Sequence, residues 1–117
     1  ALLGAAALGD LGDHFPDTDE AWKDAPSAAL LAEARAKVRA RGWIVVNVDA
    51  TVIAERPKIA PHRHLMRARI AALLGVEEGA VSVKATTHEG LGALGRAAGI
   101  AALAVVGLEQ AGEASDA

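Results

Sequence analysis

The sequence predicts an α+β fold, a small mixed β-sheet with helices packed on one face, and three observations carry that prediction. Two stretches with apolar residues at helical spacing, around Leu31 and Ile70, alternate with segments rich in β-branched residues at 43–54 and 81–86. Glycines stand where those helices should stop, at Gly42 and Gly75. A last apolar run, Ile100 to Leu108, offers a third strand. Helix, helix, strand, helix, strand, strand is an order that lays helices against a small sheet.

Residues 1–8 read as the end of a buried, Ala-rich helix stopped by Gly9. From Gly9 to Glu20 the chain carries five acids, a proline and a histidine, which predicts a loop that is electrostatically costly if ordered without a cation. Asp24-Ala25-Pro26-Ser27 is a turn that ends in an N-cap serine. A helix follows over Ala28–Arg41, with Leu30, Leu31, Ala34 and Val38 inward. Trp43–Ala54 is a strand in which Asn47 and Asp49 mark either a bulge or an exposed face. Glu55 to Pro61 is a stiff, proline-bracketed connection. Pro61 suits the first position of a second helix, whose buried face is marked by Leu65, Met66, Ile70, Leu73 and Leu74. Strand Val81–Thr86 comes next, then a glycine-rich segment and a final strand apolar enough to be buried on both faces. The tail from Glu109 is expected to fray.

Composition narrows the function. The 117 residues suit one domain, and no apolar run is long enough to span a bilayer despite a hydrophobic content of 52%. Mean hydropathy is +0.25, much of it from alanine. With aromatics at 3%, the core falls to small side chains, which points to further burial against a partner chain. The net charge of −3, with both signs interspersed, argues against a nucleic-acid surface. The absence of cysteine excludes disulfides and thiolate metal sites and fits a cytoplasmic location. The apolar start has neither Met nor a basic flank, so it reads as a helix entered midway in a longer polypeptide.

The chemistry concentrates between Lys84 and Gly99. After the strand come two hydroxyls (Thr86, Thr87), a carboxylate (Glu89), four glycines and Arg96. Glycines let backbone N–H groups approach an anion closely, an arginine forks onto phosphate oxygens, and a carboxylate among hydroxyls suits a hard cation such as magnesium. The bland reading is a glycine-rich turn with solvated charges. Bland readings also suit several other residues. His62 and His64 point to different sides of a helix and read as solvated, as does His14 in its acidic loop. His88 lies between Thr87 and Glu89, within reach of a ligand there. Asp17 and Asp19 are caps or turn formers on pattern alone, and Arg35 to Arg41 is a solvated basic face. Trp22 and Trp43 read as packing anchors. Lys58 resists a structural reading, because rigidity around it implies a presented backbone.

Five segments share a pattern: Ala-Leu-Leu-Gly-Ala-Ala-Ala-Leu-Gly-Asp-Leu-Gly (1–12), Phe-Pro-Asp-Thr-Asp (15–19), Asn-Val-Asp-Ala-Thr-Val-Ile-Ala (47–54), Pro-Lys-Ile-Ala-Pro-His (57–62) and Val-Lys-Ala-Thr-Thr-His-Glu-Gly-Leu-Gly (83–92). In register over nearly the whole chain, they closely resemble the 2-C-methyl-D-erythritol 2,4-cyclodiphosphate synthase family. The resemblance implies a homotrimer with active sites between subunits, acting in non-mevalonate isoprenoid biosynthesis. The implied reaction cyclises 4-CDP-2-C-methyl-D-erythritol 2-phosphate and releases CMP.

Residue by residue, the resemblance implies that Asp10, Leu11 and Gly12 line the methylerythritol phosphate end, under a mobile loop of Phe15, Pro16, Asp17, Thr18 and Asp19. Ala54, Glu55, Arg56, Pro57, Lys58, Ile59 and Ala60 match the segment holding cytidine and its phosphate, joined by Thr86 and Thr87. Thr87 would steady the transition state and Glu89 would hold magnesium or manganese. Arg96 matches a phosphate-binding arginine, and Ala93 stands in the substrate-binding position the family fills with an aromatic. A second departure is Ala97-Ala98, where the family has Gly-Glu. The family's zinc ligands, an Asp-x-His pair and a later His, match nothing here and belong to sequence ahead of Ala1, along with strands of the sheet. The expectation is therefore a synthase domain over 1–117 without its zinc site. The rival readings are a non-catalytic trimeric binder of cytidine nucleotides and, from pattern alone, a ferredoxin-like oligomerisation or regulatory domain.

Overall fold

The computed structural model describes residues 1–112. In chain order it has α1 (Leu2–Ala5), α2 (Leu11–His14), α3 (Ser27–Ala40), β1 (Trp43–Ile53), α4 (Arg63–Leu74), β2 (Val81–Thr86), α5 (Gly92–Gly95) and β3 (Ala101–Gln110). Short 3-10 turns fill Glu20–Trp22, Ala60–His62 and Glu78–Ala80. The α+β class is as expected, with a three-stranded sheet in the order β2-β1-β3. The chain forms two compact units, 1–46 with the chain from Val106, and 47–105.

In the first unit α1 packs on α3, burying Leu2, Leu3, Ala34 and Val38. The first helix stops well before Gly9, because Ala7 takes a left-handed φ of 57° and Leu8 N–H donates to Leu3 O at 2.9 Å. The expected acidic loop contains α2, closed by a reciprocal cap. Asp13 N–H donates to Asp10 Oδ1 at 2.9 Å and Asp10 N–H to Asp13 Oδ2 at 3.1 Å. Asp19 caps the next turn through Ala21 N–H at 2.9 Å. Three of the five acids are thus engaged by orphan backbone donors, which orders this loop locally. His14 is half-buried rather than solvated, with Nε2 2.6 Å from Leu8 O. Pro26, not Ser27, is the N-cap of α3, and Ser27 is already helical. Gly42 follows α3 at φ 87°, a conformation that favours glycine, and its carbonyl accepts from Ala111 N–H at 2.7 Å.

In the second unit β1 and β2 are parallel, in register from Val48 opposite Val81 to Ile53 opposite Thr86. A parallel pair needs a long crossover, and α4 supplies it and packs on β2. Val48, Ala54, Ala71, Leu74, Val81 and Val83 are buried. Leu65, expected inside, is 69% exposed. The inward line runs through Arg67, Ala71 and Leu74, and Leu65 stands two residues from Arg67, about 200° round the helix. Arg67 takes the inward place because its guanidinium binds two carbonyls, Val81 O at 2.9 Å and Glu78 O at 3.0 Å.

The third strand differs most from expectation. It runs Ala101–Gln110, so Glu109 and Gln110 are strand rather than frayed tail, while 113–117 lie outside the described residues. Nor is it buried on both faces: Leu103 is 63% and Val105 70% exposed. An apolar strand reports that something must cover it, not that its own chain does.

Candidate active site

The residues singled out from the sequence fall into two groups, one in each unit. In the first, Asp10 is engaged by its cap with Asp13, and Leu11 and Gly12 are exposed on α2. Phe15 is buried and meets Trp22 edge-on, with ring centroids 4.7 Å apart and planes at 78°. Its side chain belongs to packing, and its backbone N–H closes α2 on Leu11 O at 2.7 Å. Pro16, Asp17, Thr18 and Asp19 are exposed beyond it.

In the second unit the strand ends build a tight assembly. Ala54 N–H donates to Thr86 O at 3.1 Å, placing the start of the 54–60 segment beside the threonine pair. Thr87 Oγ1 accepts Glu89 N–H at 3.1 Å, and Glu89 has φ 53°, an unusual left-handed conformation for a side-chain-bearing residue. Leu91 N–H closes the turn on His88 O at 2.9 Å. The Glu55 carboxylate accepts Gly90 N–H at 3.2 Å. Gly95 packs on the same glycine so closely that a Cβ would lie 2.8 Å from Gly90 Cα, so only glycine fits there. Arg56, Pro57, Lys58, Ala60, Thr86, Thr87, His88, Glu89, Ala93 and Arg96 are all exposed, and Ile59 is half-buried. The Arg56–Pro57 peptide is cis.

A chain with this turn suits an oxyanion-rich ligand. A hydroxyl has one proton and two lone pairs. Because Thr87 Oγ1 takes the Glu89 N–H on a lone pair, its proton remains available to a phosphoryl oxygen. Lys58 and Arg96 carry exposed cations with no hydrogen bond or ion pair among the described residues. Sequence reasoning noted Asp49 but missed its pairing with Lys84 of the neighbouring strand, at 3.1 Å. The signal was there: both residues sit between apolar neighbours in alternating strands, on one side of the sheet.

A family model described as the YgbB family matches residues 1–109. The chain belongs to the YgbB family. Among similar proteins of this family, the 2-C-methyl-D-erythritol 2,4-cyclodiphosphate synthase of Chromobacterium violaceum is 63% identical over 111 residues, covering 95% of this chain and 70% of that protein. The bifunctional IspDF from Campylobacter jejuni superposes with a TM-score of 0.89 at 44% identity, over 94% of this chain and 30% of that one. A CDP complex of IspF from Plasmodium falciparum gives a TM-score of 0.82 at 33% identity, over 95% of this chain and 66% of that one. Among the described residues of this YgbB member, no helix is long and apolar enough to cross a membrane.

The metals differ in fit. Zinc takes three or four protein ligands, and no three His, Asp or Glu side chains converge as a cage among the described residues. Zinc therefore does not fit the residues present. Magnesium asks for one or two carboxylates plus substrate phosphates, which Glu89 beside two hydroxyls can meet.

Proposed function

We propose that this chain is a 2-C-methyl-D-erythritol 2,4-cyclodiphosphate synthase, converting 4-CDP-2-C-methyl-D-erythritol 2-phosphate to the cyclic diphosphate with release of CMP. The observation that carries this reading is the seating of the nucleotide-like 54–60 segment against the Thr86–Glu89 turn, in a chain so close to enzymes of that name. A phosphate oxygen of the substrate attacks the nearer phosphorus of its diphosphate in line, and the bond to the CMP oxygen breaks with its electron pair. The chain's part is positioning and charge. Ala54 to Ala60 hold the nucleotide, Lys58 faces its phosphate, and Thr87 donates its free proton to the oxygen on which charge develops. Arg96 binds phosphate, and Asp10, Gly12 and the 15–19 loop hold the methylerythritol end. Glu89 would hold magnesium or manganese, which when bound supplies Lewis-acid stabilisation of the diphosphate.

The reading includes a cytoplasmic homotrimer. Leu103 and Val105, one face of β3 and both more than half exposed, together with the exposed Ile100 just ahead of the strand, offer the apolar surface that other copies would cover. The competing reading, a binder without turnover, is favoured by Ala93 and Ala97-Ala98 in place of the family's aromatic and Gly-Glu.

The test is CMP release from the CDP-methylerythritol phosphate substrate with zinc and magnesium, on this chain and on a version carrying the family's Asp-x-His segment ahead of Ala1. Turnover in the longer protein supports the synthase. CMP binding with silence in both forms replaces it with the non-catalytic binder.

A further inference from the structure

The two residues that directly follow β1 hold both ends of the turn that follows β2. Ala54, itself buried, donates its N–H to Thr86 O at 3.1 Å. Glu55 accepts the Gly90 N–H at 3.2 Å, across 35 residues of sequence. Between these anchors lie Thr87 and Glu89, joined by the hydrogen bond from Glu89 N–H to Thr87 Oγ1. Gly95 closes the far side of Gly90 by backbone contact.

We propose that Glu55 is a positioning residue whose carboxylate locks the Thr87–Glu89 turn to the 54–60 segment, so that nucleotide and divalent cation bind cooperatively. The proposal rests on the synthase reading for its ligands, but not for the lock itself. Glu89 sits at φ 53°, which a glutamate holds only against a steric cost. The residue directly after it is the one Glu55 grips. Without that grip only the Ala54 anchor at the far end, on Thr86 O, ties the turn to the 54–60 segment, and Glu89 is free to relax toward negative φ and to give up its N–H bond to Thr87 Oγ1. A ligand on 54–60 restrains the Glu55 backbone and so lowers the ordering cost of the turn for a cation, and the reverse holds by linkage. The side chain of Glu55 thereby acts through Gly90, as an acceptor, rather than on the nucleotide.

Glu55→Gln and Glu55→Ala separate these roles, because glutamine keeps an acceptor oxygen and gives up the charge. Amide exchange at Gly90, followed without ligand, is expected to run about tenfold faster in Glu55→Ala and within about twofold of wild type in Glu55→Gln. In calorimetry with CDP, the tightening produced by magnesium should fall about tenfold in Glu55→Ala and survive in Glu55→Gln. Wild-type exchange and binding in Glu55→Ala overturn the proposal. A Glu55→Gln variant as impaired as Glu55→Ala overturns it too, since the charge would then act directly. If wild type binds no CDP, the synthase reading and the cooperative half fall together, and the Gly90 exchange rates still decide whether Glu55 holds the turn.

Discussion

Lys84 on β2 grips Asp49 on β1, with Nζ 3.2 Å from Oδ2 in a hydrogen bond and 3.1 Å from Oδ1 as a charge contact. The Oδ1 atom itself is buried and has no hydrogen-bond partner among the described residues. Register places Asp49 opposite Ser82 and Thr51 opposite Lys84, so the pair runs diagonally across the parallel strands, two residues ahead of Thr86. The Lys84 and Asp49 side chains remain 56% and 45% exposed.

Water at both partners sets the expected cost. Lys84→Ala should lower stability by less than about 1 kcal/mol in urea unfolding, the range of an exposed ion pair. A loss of about 3 kcal/mol or more would mean that another subunit covers this side of the sheet, because a stranded buried charge costs that much.

Phe15→Ala should cost more, about 3 kcal/mol by the same measurement, because it empties a buried site and removes the ring contact with Trp22. A change below about 1 kcal/mol would show that the 15–19 loop does not depend on that anchor.

What the sequence revealed, and what it hid, follows the range of each interaction. Strand β2 was legible to the residue, because Val81, Val83 and Ala85 alternate with Ser82, Lys84 and Thr86. The end of α4 was legible in Gly75, whose φ of 68° is the left-handed cap expected there. The Asp10–Asp13 cap was hidden by its spelling, since two aspartates in an acid-rich stretch look like loop. Leu65 misled because one apolar residue off the inward line carries the same letter as one on it. For the candidate site, the pattern of segments proposed residues, but no local signal joins Glu55 to Gly90 or asks for glycine at 95. Those contacts exist only once β1 and β2 are paired.

Lys58→Ala should weaken CMP binding about tenfold, the scale of one charge-assisted contact to phosphate. Its side chain is exposed and makes no hydrogen bond or ion pair among the described residues, so the melting temperature should stay put. Unchanged affinity by calorimetry would remove Lys58 from the nucleotide site.

Glu89→Gln should abolish the magnesium dependence of CDP binding while leaving the fold intact, since the side chain is exposed and its structural contact is made by the backbone N–H. Titrations with and without magnesium decide it. If the metal still tightens binding in Glu89→Gln, the cation is held elsewhere.

Gly95→Ala tests the turn from the opposite side. The new Cβ would lie 2.8 Å from Gly90 Cα and 3.0 Å from Gly90 O, against backbone that has no rotamer with which to yield. Gly90 must therefore shift, and with it the N–H that Glu55 accepts and the neighbouring Glu89. The expected loss of stability is about 1–3 kcal/mol, the usual cost of forcing an atom into a packed place. Magnesium-dependent CDP affinity should fall alongside. Gly99→Ala is the matched control, since its Cβ would meet only Leu94 Cδ2 at 3.7 Å, an ordinary contact. Equal behaviour of the two variants would show that the Gly90–Gly95 contact does not set the turn. A defect confined to Gly95→Ala would make the backbone packing of the glycine-rich segment, rather than its flexibility, the reason for glycine there.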